Sequence, residues 1–140
     1  MHPNPVFHTQ TDQTNLAYAR ARAFGTLAVN GAQSPLLSHV PFLLEADGKT
    51  LWLHLVRSNP IARALKDLKD PQPCRIAVQG PDSYISPDWY GVEDQVPTWN
   101  YIAVHLTGKL ELRPQEELQG ILDRQTKLFE DQLLPKTPWT

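Results

Sequence analysis

Tyr101-Ile102-Ala103-Val104-His105-Leu106-Thr107-Gly108-Lys109-Leu110-Glu111-Leu112 decides the fold class of this chain. Ile102, Val104, Leu106, Leu110 and Leu112 alternate with Tyr101, Ala103, His105, Thr107, Lys109 and Glu111, a period of two that belongs to a half-buried strand. Gly108 predicts a bulge in it. The same period returns in Leu51-Trp52-Leu53-His54-Leu55-Val56, where the leucines share one face and His54 lies on the other. Thr26-Leu27-Ala28-Val29 is β-prone and closes at Asn30-Gly31, a pair suited to a hairpin. Residues 36–44 form the returning strand, in which Pro41 argues for an edge position or a bulge. Asp47-Gly48 marks a second hairpin, and Arg75-Ile76-Ala77-Val78-Gln79 reads as a further strand.

Helices interrupt these strands at three places. Thr11 or Asp12 caps a helix that runs to about Phe24 and ends at Gly25. Asn59-Pro60 combines a capping residue with proline at the first helical position, and Ile61, Ala64, Leu65 and Leu68 then fall at helical spacing. Pro114 opens a last helix with Leu118, Ile121, Leu122, Leu128 and Phe129 on its apolar stripe. Short strands joined by hairpins and interspersed with helices predict a mainly β fold with helices, a small antiparallel β-barrel, in a single domain over residues 1–140.

Composition narrows the function. A chain of 140 residues buries roughly two-thirds of its unfolded surface around one core. No apolar run approaches the roughly 20 residues needed to span a bilayer, and the N-terminus has neither the basic start nor the apolar stretch of a signal peptide, so a soluble, cytoplasmic protein without membrane contact is expected. Cys74 is the sole cysteine, which excludes internal disulfides, and its apolar surroundings suggest an inert thiol. The 13 basic and 15 acidic residues leave a net charge of −2 and no global field for nucleic acid.

Residues 79–90 and 96–101 hold tryptophan, tyrosine, proline and polar residues together, and read as loops that either cover the core or wall a planar ligand. Residues 76–108 contain no Lys or Arg, so an anion bound there must be held from elsewhere. His54-Leu55-Val56-Arg57-Ser58-Asn59-Pro60 supplies such a place: a strand delivers Arg57, Ser58 and Asn59 to a helix N-terminus, where a phosphate fits. An ordinary capped helix with a solvated arginine is the plainer alternative. His39, His54 and His105 lie on three strands without metal-ligand spacing, so no metal site is expected. A nucleophile elbow, a P-loop and a Gly-x-Gly-x-x-Gly turn are all absent.

Ser38-His39-Val40-Pro41-Phe42-Leu43-Leu44, the passage from His54 to Pro60, Gln79-Gly80-Pro81-Asp82-Ser83-Tyr84-Ile85-Ser86-Pro87 with Trp89-Tyr90, and Val96-Pro97-Thr98-Trp99-Asn100-Tyr101 with Val104-His105 together resemble the PaiB family of FMN-binding negative transcriptional regulators. The resemblance runs in order from about Val6 to Trp139. It implies an FMN-binding split barrel that pairs into a homodimer with FMN at the subunit boundary. It also implies Arg57, Ser58 and Asn59 at the FMN phosphate, and Ser38, His39 and Val40 beside the flavin. His54 and Gln79 would lie on neighbouring strands, with Trp99 and Asn100 closing the site. Family members extend some tens of residues beyond a point like Pro138-Trp139, so the expected barrel is short at its C-terminal end.

Three functions follow from this reading. The resemblance favours an FMN-binding regulator, with DNA as a partner by resemblance alone, since no basic recognition helix is visible. A flavin-dependent oxidoreductase or haem-handling enzyme of the split-barrel class is the second, with no catalytic residue identified. A cofactor-free interaction domain is the third.

Overall fold

The structure, a computed structural model, describes residues 3–139. Its elements in chain order are α1 (Asp12–Arg22), β1 (Phe24–Val29), β2 (Leu36–Leu44), β3 (Leu51–Leu53), α2 (Pro60–Leu65), β4 (Gln72–Ile85), β5 (Thr98–Leu110) and α3 (Leu118–Asp131). Short 3-10 turns occupy Pro5–Phe7, Pro87–Tyr90 and Gln115–Glu117. The strands form one antiparallel sheet in the order β3-β2-β1-β4-β5, which does not close on itself. This is the mainly antiparallel β architecture with helices that the alternating strands predict, consistent with a split-barrel-like fold.

Alternation fixes which face is core. Leu27 pairs with Ser38 and Ile76, and Ile76 with Leu106, so one row of side chains crosses four strands on one face. Leu27, Val29, Val40, Phe42, Ile76, Val78 and Val104 are buried on that face, joined by Ala19 of α1 and by Ile61 and Leu65 of α2. The next row, His39, Thr26, Ala77 and His105, points to the opposite face. α3 lies against the β2–β3 hairpin, where Arg124 pairs with Glu45 at 2.6 Å and stacks over the Trp52 ring at 5.9 Å.

Several local expectations change in the structure. α1 ends at Arg22 with Ala23 in the left-handed conformation, φ 49°, so Gly25 is not its terminator. Gly25 is a β1 residue, and a Cβ there would stand 2.8 Å from the Ala77 carbonyl oxygen; glycine permits close strand approach. The β1–β2 connection spans six residues, from Asn30 to Pro35, because Val29 pairs directly with Leu36; Asn30-Gly31 is therefore not a two-residue turn. Pro41 pairs with Phe24 of β1 one residue before β2 meets β3 at Phe42, and residues 36–41 have a paired strand on one side only, the edge position that the proline implies. Gly108 pairs in register with Cys74, and the irregularity falls instead between Gln79 and Asp82.

The largest correction concerns the aromatic stretches. β4 continues to Ile85 and β5 starts at Thr98, so Tyr84 and Trp99 are paired strand residues rather than loop residues. Beyond the bulge, β4 and β5 run on as a two-stranded arm with the 3-10 turn Pro87–Tyr90 near its tip. At the base of this arm a Cβ on Gly80 would stand 2.1 Å from the Tyr18 hydroxyl, so glycine lets α1 seat against the strand.

Candidate functional site

The chain passes from β3 into α2 through a turn that is pinned twice. Asn59 caps α2: its Oδ1 accepts from the Ile61 N–H at 2.9 Å, while its Nδ2 donates to Ser38 Oγ at 3.0 Å on β2. The Asn59 N–H also donates to the Val56 carbonyl at 2.9 Å, which closes the turn. Arg57 and Ser58 are thereby held exposed on its crest. Replacing Asn59 with alanine removes the cap and the Ser38 link together, and should lower stability by about 1–2 kcal/mol. Thermal unfolding reads this, and Asn59→Ser, which keeps a capping oxygen, should lose less.

The anion-binding capacity of this turn rests on side chains. α2 has six residues, its first, Pro60, has no N–H, and the Ile61 N–H is taken by Asn59. Little helix dipole is left for a ligand, contrary to the simple expectation for a helix N-terminus. Arg57 keeps most of its donors, spending one on Gln115 Oε1 at 3.3 Å, and the Ser58 hydroxyl has no protein partner among the described residues. Just upstream, His54 Nδ1 is buried and has no hydrogen-bond partner among the described residues. In sequence this orphaned ring nitrogen stands three residues before the exposed Arg57 guanidinium, and a buried polar atom without a partner calls for one.

On β2, Val40 is 3% exposed and faces the core, so it offers a ligand only its backbone. His39 is exposed on the opposite face, with Nδ1 2.9 Å from Thr26 Oγ1. His105 shares that face three strand spacings away, roughly 14 Å, so the two imidazoles do not meet. Burial, with the Arg75 cation nearby, holds the His105 pKa below the ordinary histidine value. Burial likewise pushes the Cys74 thiol up, which disfavours its reactive thiolate.

Gln79, Trp99 and Asn100 form a second group at the arm. Asp82 joins two of them, accepting from Gln79 Nε2 at 3.3 Å and from Trp99 Nε1 at 3.1 Å. The Trp99 ring tilts at 59° to that of Tyr84 with centroids 6.2 Å apart, a favourable aromatic pair. Trp99 and Asn100 line a hollow of about 250 Å³ with Phe7, His8 and Tyr101. The larger cleft, about 730 Å³, is the unclosed apolar interior between α1, β3 and β5, and none of the ten candidate residues lines it.

Sequence reasoning overlooked Asp82 as an organising acceptor, Thr26 as the partner of His39 and Gln115 as that of Arg57. The Asp82–Trp99 link follows from strand pairing across a bulge, and Gln115 lies 58 residues from Arg57. Neither leaves a local signal. The described residues hold no group of three or more His, Cys, Asp or Glu suited to a metal, and no helix among them is long and apolar enough to cross a membrane.

Comparison with known proteins fixes the family. The model of a family described as "Putative FMN-binding domain" matches residues 1–140. The chain belongs to this FMN-binding family. It is similar to the protease synthase and sporulation protein PAI 2 of Bacillus subtilis, 34% identical over 103 residues covering 72% of this chain and 48% of that protein. It is also similar to an uncharacterized protein of Saccharomyces cerevisiae, 38% identical over 78 residues, 51% of this chain and 44% of the relative. A third relative, an uncharacterized protein of Aspergillus fumigatus, is 30% identical over 136 residues, 71% of this chain and 52% of its own. The chain thus spans about half the length of these relatives.

Proposed function

We propose that this FMN-family protein binds FMN itself, as a cytoplasmic homodimer, and serves as a regulator of the PaiB type. The match of the family model to the whole chain carries this reading. The doubly pinned turn supports it locally, since it presents Arg57 and Ser58 to solvent with donors available. Arg57 would hold the phosphate through its guanidinium, Ser58 would add a hydroxyl, and Asn59 would keep the turn in shape while bonded to Ser38. His54 would meet a polar group of the ligand, and His39 and the Val40 backbone would lie beside it. Gln79, Trp99 and Asn100 would form the wall on the arm. When bound, FMN supplies one- or two-electron transfer, while the chain supplies binding, orientation and shielding.

The phosphate separates this reading from general aromatic stickiness. Fluorescence titration with FMN and with riboflavin, which lacks the phosphate, should show FMN binding at least about tenfold tighter, in line with charge-assisted hydrogen bonds of roughly 1.5–3 kcal/mol. Equal affinities would remove Arg57 and Ser58 from the site. The regulatory role rests on the family resemblance and on the named Bacillus relative, a protease synthase and sporulation protein. Direct DNA binding would appear as a complex in a gel shift that weakens steeply with salt; its absence at moderate salt would leave only an indirect role.

A further inference from the structure

One carboxylate organises the arm. Gln79 lies opposite Ala103, Asp82 opposite Tyr101 and Tyr84 opposite Trp99, and residues directly opposite one another in an antiparallel pair share a face. Gln79, Asp82, Tyr84, Trp99 and Tyr101 therefore stand on one face of the sheet. The bulge produces this set. Under strict alternation Pro81 and Ser83 would follow Gln79, whereas the extra residue turns Asp82 and Tyr84 to its side. Pro81 has no N–H to leave unpaired, and the Tyr18 hydroxyl occupies the space a Gly80 Cβ would take, so the bulge is held in place.

Half-exposed side chains on a strand turn freely unless something holds them. Trp99 is 55% exposed, yet its ring has two fixed contacts: Nε1–H donates to Asp82 Oδ1 at 3.1 Å, and the Tyr84 ring centroid lies 6.2 Å away. The second oxygen, Asp82 Oδ2, accepts from Gln79 Nε2 at 3.3 Å. An amide whose nitrogen is turned toward Asp82 has its oxygen turned away, and Gln79 Oε1 has no partner among the described residues. Two donors thus converge on one side chain, and a carboxylate offers an acceptor to each. Residues 76–108 hold no Lys or Arg to compete for it.

We infer that Asp82 is the positioning residue of this wall: it fixes the Trp99 indole as a flat side and turns Gln79 Oε1 outward, so that the wall selects a planar ligand with an N–H donor at its edge. This deepens the proposed FMN reading and rests on it for the identity of the ligand, whose ring system carries one imide N–H. Asp82→Asn tests the polarity, because a carboxamide has one acceptor end and one donor end. The indole N–H cannot reverse, so it keeps the acceptor. The Gln79 amide must then flip to meet the donor, and it presents Nε2 outward in place of Oε1.

Proton–nitrogen NMR of the protein without ligand reads the positioning directly. The four tryptophans give four indole N–H signals, and that of Trp99 is the one missing in Trp99→Phe. In Asp82→Ala this signal should move and exchange with water at least about tenfold faster, while in Asp82→Asn it should stay near its wild-type position. The Trp52 signal, from a ring under Arg124, should be unmoved in both variants, which shows that the fold is intact. Fluorescence titration with FMN and with an FMN analogue methylated at the imide nitrogen then reads the selection. Wild type should prefer FMN by about tenfold, and Asp82→Asn should lose that preference although its indole is held. A Trp99 signal unchanged in Asp82→Ala, or a preference for FMN that survives in Asp82→Asn, would overturn the role of Asp82. The FMN reading fails separately. A wild type that binds neither flavin while the Trp99 signal responds as expected would overturn the FMN reading and keep Asp82 as the residue that holds Trp99. FMN bound equally tightly by wild type and both Asp82 variants would keep the FMN reading and overturn selection by the wall.

Discussion

Truncating Phe42 to alanine should lower the free energy of unfolding by about 3–5 kcal/mol, the cost of removing a large buried aromatic and leaving a cavity. Phe42 is fully buried at the point where three strands converge on the core. It pairs with Leu53 of β3, follows the residue that pairs with Phe24 of β1, and its N–H donates to the Ala23 carbonyl at 2.9 Å. Its neighbours on the core face come from β1, β4, β5 and both packed helices, so no single flexible side chain can refill the space. A protein of this size has roughly 5–15 kcal/mol of total stability, so the variant would sit close to its unfolding threshold. Urea denaturation should show a midpoint far below that of the wild type with an unchanged slope. A loss under about 1 kcal/mol would mean that the sheet packs on a different face.

Arg57→Ala should weaken FMN binding about 10–100-fold while leaving stability nearly unchanged. The guanidinium is the fully charged, multidonor group on the turn, and charge-assisted bonds to phosphate are worth roughly 1.5–3 kcal/mol when removed. Its folded-state role is slight: it is exposed, and its one side-chain hydrogen bond among the described residues is the 3.3 Å bond to Gln115. A surface change of this kind stays within about 0.5 kcal/mol of wild-type stability. Arg57→Lys keeps the charge and loses the planar fork, so it should recover part of the affinity. Riboflavin binding should be indifferent to all three residues at this position. Fluorescence titration reads the affinities, and an FMN affinity unchanged in Arg57→Ala would assign the phosphate elsewhere.

The fold was legible wherever alternation or capping chemistry acts locally. The period of β5 and the Asn59-Pro60 start of α2 are written in consecutive residues, and both stand in the structure. Where chemistry depended on distant partners, local reading failed. Gly25 looked like a helix terminator because glycine commonly ends helices, but its role is set by the Ala77 carbonyl across the sheet. Tyr84 and Trp99 looked like loop residues because prolines surround them, yet pairing across the hairpin makes them strand neighbours. The predicted stripe on α2 was too long: Ile61 and Leu65 are buried, but the helix ends at Leu65 and Leu68 is 50% exposed.

The candidate site divides in the same way. The link between Ser38 and Asn59 joins two residues that the resemblance groups, while Arg57 and Ser58 are exposed on the turn just before Asn59. Pro60 and the Asn59 cap leave few donors at the start of α2, so the helix dipole adds little to anion binding there. Gln79 and Trp99 meet through Asp82, an acceptor that resembled an ordinary solvated acid in the sequence. The separation of these two groups along one sheet is a property of strand register, which no one-dimensional pattern displays.

Equilibrium dialysis of the purified protein against FMN, read by flavin absorbance, tests the central claim most directly. Retention of one FMN per chain, at micromolar or lower free ligand and with altered flavin bands, is the predicted result; flavin that equilibrates equally across the membrane at every concentration, with an unchanged spectrum, would contradict it.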